Sequence, residues 1–426
     1  MRSTTRTPQR MHLLDLLRFG AAAAVVLYHF TATPTATRYW GADVTALFAG
    51  LNEVTRYGWL AVEAFFVVSG FAILWSTQGR SLAQYVGSRV GRLYPAFWAC
   101  IAVTALLQAF WTGGRELGLG DTLLNLTMAP DVFGAELSQV VYWTLLVELT
   151  FYVLVGVLLA FGPLTRAKVL GLALGWPAAG ILAHALGYPV LAEHLVVRHS
   201  VYLGIGMLLF LLWQDVTARS APDAAAAAGA PATTAAPGRP GRRGTAVVGA
   251  SLAALLALAV VRVTTSAQQA SELQGVPVSP GVAVTVLLTV VATVWVATRP
   301  WAAVRDPRLG ALCVLAGALT YPLYLVHTQF GWAVTEWLSR AGVGRWATLA
   351  AAVGVSVLLA VLIHHAVERP FSTRLRRAVT RALPSVPALV ALRSGAQGAP
   401  AARNEPEPYG PVRAAARELA RPASLR

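Results

Sequence analysis

The stretch LLDLLRFGAAAAVVLYHF, residues 13–30, is apolar over most of its length but contains Asp15, Arg18 and His29. About 20 apolar residues in a row are enough to cross a hydrocarbon core about 30 Å thick as a helix. Three ionisable side chains are unusual in the apolar region of a cleaved signal peptide. We therefore interpret this stretch as a first transmembrane helix that is retained.

Similar apolar runs occupy most of the 426-residue chain, which is 56% hydrophobic and only 12% charged. Soluble proteins contain about 25% charged residues. The length and spacing of the runs predict an all-α integral membrane protein, a polytopic bundle of about ten transmembrane helices. The predicted spans lie near residues 13–31, 57–77, 93–111, 139–162, 167–187, 199–215, 246–263, 279–298, 309–331 and 346–366.

Arg and Lys residues are concentrated in alternate loops, on the same side as the two termini. Because basic loops resist translocation, we predict that both termini are cytoplasmic and that the protein is a multi-pass protein of the cell membrane. The last helix is expected to end at HHAVERP, before Pro370. The predicted organisation is a cytoplasmic N-terminus at 1–12, six membrane helices within 13–216, a disordered cytoplasmic linker at 217–245, four membrane helices within 246–370 and a largely disordered cytoplasmic tail at 371–426.

The formal net charge of +15 suggests nucleic-acid binding, but no folded basic module is left outside the predicted membrane helices to provide it. The expected partners are therefore the lipid bilayer and no nucleic acid. Cys100 and Cys313 lie inside apolar runs, which predicts buried thiols and no disulfide. No metal site is predicted, because the histidines lack ligand spacings such as HExxH. Walker-type and GxSxG motifs are absent too, which argues against the simplest ATPase and serine-hydrolase functions.

Arg18 and His29 lie eleven positions apart on the first helix, which places them on a similar face with about 16 Å of rise between them. Ionisable groups inside a span are costly and are therefore functional candidates. Arg18 can hold an anion, oriented by Asp15, and His29 can move a proton. The alternative is that Arg18 and Asp15 reach the cytoplasmic headgroups and His29 merely lies at the outer interface.

Arg89 and Arg92 occur in SRVGRLYPAFWA, just before the third span. Two guanidinium groups at that spacing suit a phosphate or pyrophosphate, since each offers a planar fork of donors. Basic residues in a cytoplasmic loop also serve membrane topology alone. Arg18 approaches the same interface, which favours a shared anion site.

Three further ionisable residues lie within spans. Glu63, in YGWLAVEAFFVVSGFAILWS, must either pair with a cation or face a cavity. Glu148, in YWTLLVELTFYVL, is either a structural partner of an Arg or His, or it orients or shares a proton with His29. His327, in LTYPLYLVHTQF, is either an interfacial packing residue or part of the site.

Taken in order, these segments resemble the acyltransferase 3 family of membrane-bound acyltransferases, which acylate bacterial O-antigens, exopolysaccharides and macrolides. The family's first-helix pattern, a basic residue followed by ten residues and a His, falls on Arg18 and His29. The resemblance covers residues 11 to about 372. It also includes FFVVSGF at 65–71, the RVGR pair Arg89 and Arg92, the segment from Trp143 to Glu148, YPLYLVH at 321–327 and VERP at 367–370.

The resemblance implies transfer of an acyl group, commonly acetyl from acetyl-CoA, onto a hydroxyl of a cell-envelope carbohydrate or a glycosylated small molecule. In that interpretation acyl-CoA is the donor co-substrate and no metal takes part. The resemblance implies His29 as the catalytic residue and Arg18, Arg89 and Arg92 as donor-binding residues. From their places in the spans we add Glu148 as a second catalytic residue and Glu63 and His327 as substrate-binding residues.

Two other classes of function fit part of the pattern. A proton-coupled secondary transporter would also contain about ten spans with buried carboxylates such as Glu148. Paired broken helices would favour a transporter, and the sequence does not contain them. A purely structural membrane scaffold leaves the polar residues in four separate spans unexplained.

Overall fold

The computed structural model describes residues 11–188, 197–227, 241–299 and 304–383. Over these ranges the protein is helical without strands, and ten helices are long and apolar enough to cross a membrane. The predicted fold class is thereby confirmed. The helices are α1 His12–Thr31, α2 Pro34–Trp40, α3 Val44–Leu47, α4 Ala49–Thr55, α5 Leu60–Thr77, α6 Leu82–Gln108, α7 Leu119–Asn125, α8 Trp143–Ala160, α9 Arg166–Ala185, α10 Val197–Ala227, α11 Arg242–Gln274, α12 Pro280–Ala297, α13 Pro307–Arg340, α14 Arg345–Ile363 and α15 Arg369–Ala382.

Local sequence signals begin several of these helices. At the start of α6, the Ser81 hydroxyl accepts from the backbone N–H of Gln84, whose side chain accepts in return from the N–H of Ser81. The Asp306 carboxylate accepts from two backbone N–H groups in the first turn of α13, where Pro307 occupies a position that needs no donor. These caps satisfy backbone donors that a helix end leaves free.

The most extensive helix pairings are α13 with α14, α10 with α5, α1 with α13 and α6 with α15. Gly70 on α5 and Gly206 on α10 face each other so closely that a Cβ added to Gly70 would collide with the Leu203 carbonyl oxygen. A Cβ added to Gly331 on α13 would collide with the Phe30 ring of α1. Small residues at such crossings let helix backbones approach in a membrane, where packing replaces the hydrophobic effect between helices.

A buried ion pair joins α9, α10 and α11 at one end of the bundle. Arg166 donates to both carboxylate oxygens of Asp215, at 2.5 and 3.0 Å, and to the Gly244 carbonyl oxygen at 2.8 Å. The Thr245 hydroxyl donates to Asp215 Oδ2 at 2.9 Å. Asp215 is only 1% exposed, so these donors replace the water it would otherwise bind. The first six spans are thus connected to the last four beside the predicted linker.

The linker predicted at 217–245 is shorter than expected at both of its ends. Residues 217–227 continue α10 and residues 242–245 begin α11. The first of these segments is rich in Ala, the residue with the highest helix propensity. The helix therefore continues there although the segment has no apolar periodicity. Residues 228–240 lie outside the described part of the chain.

The tail predicted as largely disordered from residue 371 begins instead with a helix. A π-helical turn, His364–Glu368, leads directly into α15, so Glu368 and Arg369 do not end the last helix as predicted. Pro370 follows this π-helical turn directly, and irregular turns of this kind are where a helix accommodates a proline. Residues 384–426, like the N-terminal residues 1–10, lie outside the described ranges, and the cytoplasmic location of the termini stays a prediction.

We predict that Asp215→Ala lowers the free energy of unfolding by about 3 kcal/mol, because it leaves the Arg166 guanidinium without its buried partner. The measurement is the thermal unfolding midpoint of the purified protein in detergent. Thr217→Ala, an exposed change two residues away, is the matched control and should leave the midpoint in place. Equal midpoints for the two variants would contradict the prediction.

Candidate active site

His29 lies near the end of α1, where α13 brings a second histidine against it. His29 Nδ1 is 3.0 Å from the Val25 carbonyl oxygen and 3.2 Å from Nε2 of His327. His327 is completely buried, and its Nδ1 is 2.9 Å from the Tyr324 carbonyl oxygen. The Trp332 indole N–H donates to the His29 carbonyl oxygen at 3.2 Å. The two rings are therefore held by both helices.

These contacts assign the protons of the two imidazoles. A carbonyl oxygen only accepts, so Nδ1 of His327 must donate to Tyr324 and its Nε2 is a free acceptor when the ring is neutral. His29 Nδ1 must in turn carry the proton shared between Val25 and His327. Nε2 of His29 is left without a proton, which is the state that a general base requires.

His29 lines a cavity of about 350 Å³, which we call the outer cavity. Glu63 also lines it and lies 3.4 Å, Oε2 to Nδ1, from His199 on α10. The ring of His199 is 4.9 Å, centroid to centroid, from Trp143. The full lining of the outer cavity is Val25, Tyr28, His29, Trp59, Val62, Glu63, Val140, Val141, Trp143, Arg198, His199, Ser266, Gln269, Ala270, Leu273 and Tyr324.

A second and narrower cavity of about 70 Å³, the inner cavity, contains the Arg groups that the first helix and α6 contribute. Arg18 and Arg92 line it together with Glu148. The Glu148 carboxylate accepts from the Tyr152 hydroxyl and, at 3.4 Å, from Ser69 Oγ. Among the lining side chains, two guanidinium groups and one carboxylate give one net positive charge, which suits an anion.

Val62 and Tyr324 line both cavities and form the boundary between them. The Tyr324 hydroxyl lies 2.9 Å from Thr144 Oγ1 and 3.2 Å from the Val141 carbonyl oxygen, so hydrogen bonds hold the ring in this place. The inner and outer cavities are therefore adjacent chambers along α1, with the Arg groups in one and His29 in the other.

The structure divides the residues predicted as a site between these chambers. His29 and Glu63 meet in the outer cavity, while Arg18, Arg92 and Glu148 meet in the inner one. Glu148 hydrogen-bonds to Ser69 and Tyr152, so the alternative in which it shares a proton with His29 is wrong for this structure.

His327 and Arg89 do not line the cavities in which their predicted roles would place them. His327 lines neither chamber and instead contacts His29 through its Nε2, and its predicted role in substrate binding stays a prediction. Arg89 is absent from the lining of the inner cavity. Its Nη2 donates to Ser76 and Ser88, each at 3.2 Å, and its guanidinium lies over the Tyr152 ring at 5.7 Å.

His199 is the residue of the outer cavity that the sequence analysis missed. It occurs in VVRHSVYLG, at the first turn of a span, where an ionisable residue is not costly enough to attract attention. Only its distance to Glu63 marks it as part of the site. Within the described residues, no group of three metal-ligating side chains is close enough to hold a metal ion, and the groups offered to a cofactor are guanidinium groups.

The model of the acyltransferase 3 family, described as an acyltransferase domain, matches residues 11–365. The chain belongs to the acyltransferase 3 family. The match contains both chambers of this membrane acyltransferase and ends before α15 begins. No curated protein and no solved structure matches the chain significantly.

We predict that the outer cavity of this acyltransferase opens towards the cell exterior and that the C-terminal end of α5 lies on the cytoplasmic side. Ser266 lines the outer cavity, and Gln78 is exposed at the other end of the bundle. Each is replaced by Cys in a separate variant. A membrane-impermeant maleimide should label Ser266→Cys in intact cells and Gln78→Cys only after lysis, since the predicted termini are cytoplasmic. The native Cys100 and Cys313 are buried, which keeps the background low.

The unsubstituted protein, carried through both conditions, is the control for that labelling. The reverse pattern, with Gln78→Cys labelled in intact cells, would contradict the predicted orientation.

Proposed function

We propose that this membrane acyltransferase moves an acetyl group from acetyl-CoA onto a hydroxyl of a cell-envelope carbohydrate or a glycosylated small molecule, with His29 as the base. The observation that carries the proposal is the adjacency of the two chambers. A histidine with a free Nε2 faces the larger chamber, and a positively charged pocket lies directly beside it. Such a pair of sites suits a donor that carries phosphates at one end and a reactive thioester at the other.

His29 supports the reaction by moving one proton. Its Nε2 takes the proton of the acceptor hydroxyl as the hydroxyl oxygen bonds to the thioester carbonyl carbon. The carbon–sulfur bond breaks, and His29 returns the proton to the departing sulfur. While the imidazole is positively charged, the proton on its Nδ1 is shared with Nε2 of His327, which spreads the charge.

Arg18 and Arg92 are proposed to hold the donor's phosphates in the inner cavity. Guanidinium forks bind phosphate oxygens in pairs, and both arginines line the inner cavity. Arg18 and His29 are separated by about 16 Å of helical rise, a span that an extended pantetheine arm is built to bridge. Glu148, held by Tyr152, is proposed to orient these guanidinium groups.

The outer cavity is proposed to hold the acceptor. Its aromatic side chains, Trp59 and Trp143 among them, offer apolar ring faces, while Glu63 and His199 offer hydrogen-bonding groups. Sugars have the same mixture of apolar and polar surfaces. Glu63 is thus proposed as an acceptor-binding residue.

The transporter alternative loses its main support in the structure. Its motivation was the buried carboxylate of Glu148, which lies beside Arg18 and accepts two hydrogen bonds. A carboxylate with these neighbours needs no transported proton or ion to account for it.

The test is transfer of label from radioactive acetyl-CoA to candidate glycans by the purified protein. We predict that His29→Ala lowers kcat by about 10²- to 10⁴-fold, the usual contribution of a general base. His184→Ala, an exposed histidine on α9, is the matched control and should retain full activity. Equal rates for the two variants would rule out His29 as the base.

We predict that His327 acts as a positioning residue for His29 without touching the substrates. His327→Leu should lower kcat about tenfold or more with little change in KM, because the Nδ1 proton of His29 loses one of its two acceptors and keeps only the Val25 carbonyl oxygen. His327→Gln offers an amide oxygen at a similar place and should restore part of the rate. A rise in the KM of the acceptor, with kcat unchanged, would show instead that His327 binds the substrate.

A further inference from the structure

Two arginines outside both cavities converge on one hydroxyl. Arg80, in the loop before α6, donates from Nη1 to Ser88 Oγ at 2.9 Å. Arg89 donates from Nη2 to the same oxygen at 3.2 Å. Two guanidinium groups that share one small acceptor keep most of their donors available for another partner.

α15 brings a third arginine to this place. A Cβ added to Gly91 on α6 would lie 2.7 Å from Cβ of Arg376 and 2.6 Å from the Ser372 carbonyl oxygen. Only a glycine permits this approach of α15 to α6. The charge of Arg376 reaches Arg80, whose pKa is lowered by burial and by the neighbouring positive charges of Arg89 and Arg376.

No carboxylate in the described ranges forms an ion pair with Arg80, Arg89 or Arg376. In addition, Nε of Arg89 is buried and has no hydrogen-bond partner. Three like charges at this spacing repel each other, and an anion among them relieves the repulsion. Clustered arginines of this kind are typical of sites for phosphate groups, since each guanidinium offers paired donors.

The arginine cluster, as we call these three residues, lies next to the inner cavity. The guanidinium of Arg89 is 5.7 Å from the ring centroid of Tyr152, whose hydroxyl donates to Glu148 in the lining of that cavity. Arg376 belongs to α15, which lies beyond the residues that the family model matches. The cluster is therefore partly a feature of this chain outside its family domain.

We propose that Arg80, Arg89 and Arg376 form a site for a phosphate monoester, occupied by the 3′-phosphate at the nucleotide end of coenzyme A. This inference rests on the proposed function, since it places the end of the donor that is farthest from the thioester. In this arrangement Arg18 and Arg92 hold the diphosphate in the inner cavity and the cluster holds the third phosphate. A lipid headgroup such as phosphatidic acid has the same chemistry, so the test must separate the two sources.

The test compares binding of coenzyme A and of 3′-dephospho-coenzyme A to the full-length protein in a neutral detergent. The unsubstituted protein should bind coenzyme A about tenfold more tightly, the effect of losing hydrogen bonds to a charged group. Arg376→Gln should lose this preference while its affinity for the dephospho form stays unchanged. Arg377→Gln, the next exposed arginine of α15, is the matched control and should keep the preference.

Arg80→Gln provides a second variant in case Arg376→Gln disturbs the packing of α15, which its unfolding midpoint would reveal. Coenzyme A binding without any preference over the dephospho form would overturn the inference and leave the proposed function standing. Absence of both coenzyme A binding and acyl transfer in the unsubstituted protein would overturn the proposed function itself.

The lipid source is tested in nanodiscs with and without phosphatidic acid. For a donor site, Arg376→Gln should weaken coenzyme A binding equally in both. An effect of Arg376→Gln on phosphatidic acid binding alone, with the coenzyme A preference intact, would assign the cluster to the lipid and overturn the donor site.

Discussion

The hydrogen bond between Nδ1 of His29 and Nε2 of His327 joins α1 to α13. The two histidines are 298 positions apart in the chain. It requires α13 to lie directly on α1, and Gly331 allows this because no side chain separates its backbone from the Phe30 ring. The Trp332 N–H then binds the His29 carbonyl oxygen. The same approach of α13 places Tyr324 at the boundary of the two chambers, so the candidate chemistry and the path to it depend on one helix contact.

Burial inside the bundle explains why its polar groups occur in sets. A buried polar or charged group without a partner costs several kcal/mol in a membrane. Three carboxylates in the described part of the bundle accordingly have a hydrogen-bonding or ionic partner: Arg166 contacts Asp215, His199 contacts Glu63, and Tyr152 donates to Glu148. Arg89 differs from this pattern because it has no carboxylate partner among the described residues. That difference is the reason for proposing a bound anion beside it.

Part of the candidate site could be predicted from the sequence. Arg18, His29, Glu63 and Glu148 stood out because each is an ionisable residue within an apolar run, and all four line a cavity. His199 was missed because it lies at the end of a span. The contact of His327 with His29 could not be predicted from the sequence, since position along a helix does not tell whether a side chain faces a cavity or another helix.

The sequence by itself determined that this is a membrane protein with ten spans and an ordered set of polar residues characteristic of the acyltransferase 3 family. Hydropathy suffices for this because a helix satisfies its own backbone and must match the bilayer in length, both of which are local properties. Only the tertiary structure decided which polar residues meet. Three features depend on how helices turn and approach each other. They are the separation of Arg92 from Arg89, the pairing of His29 with His327 and the continuation of the chain into α15. Contacts such as those at Gly331 and Gly91, made with residues far away in the chain, set that geometry.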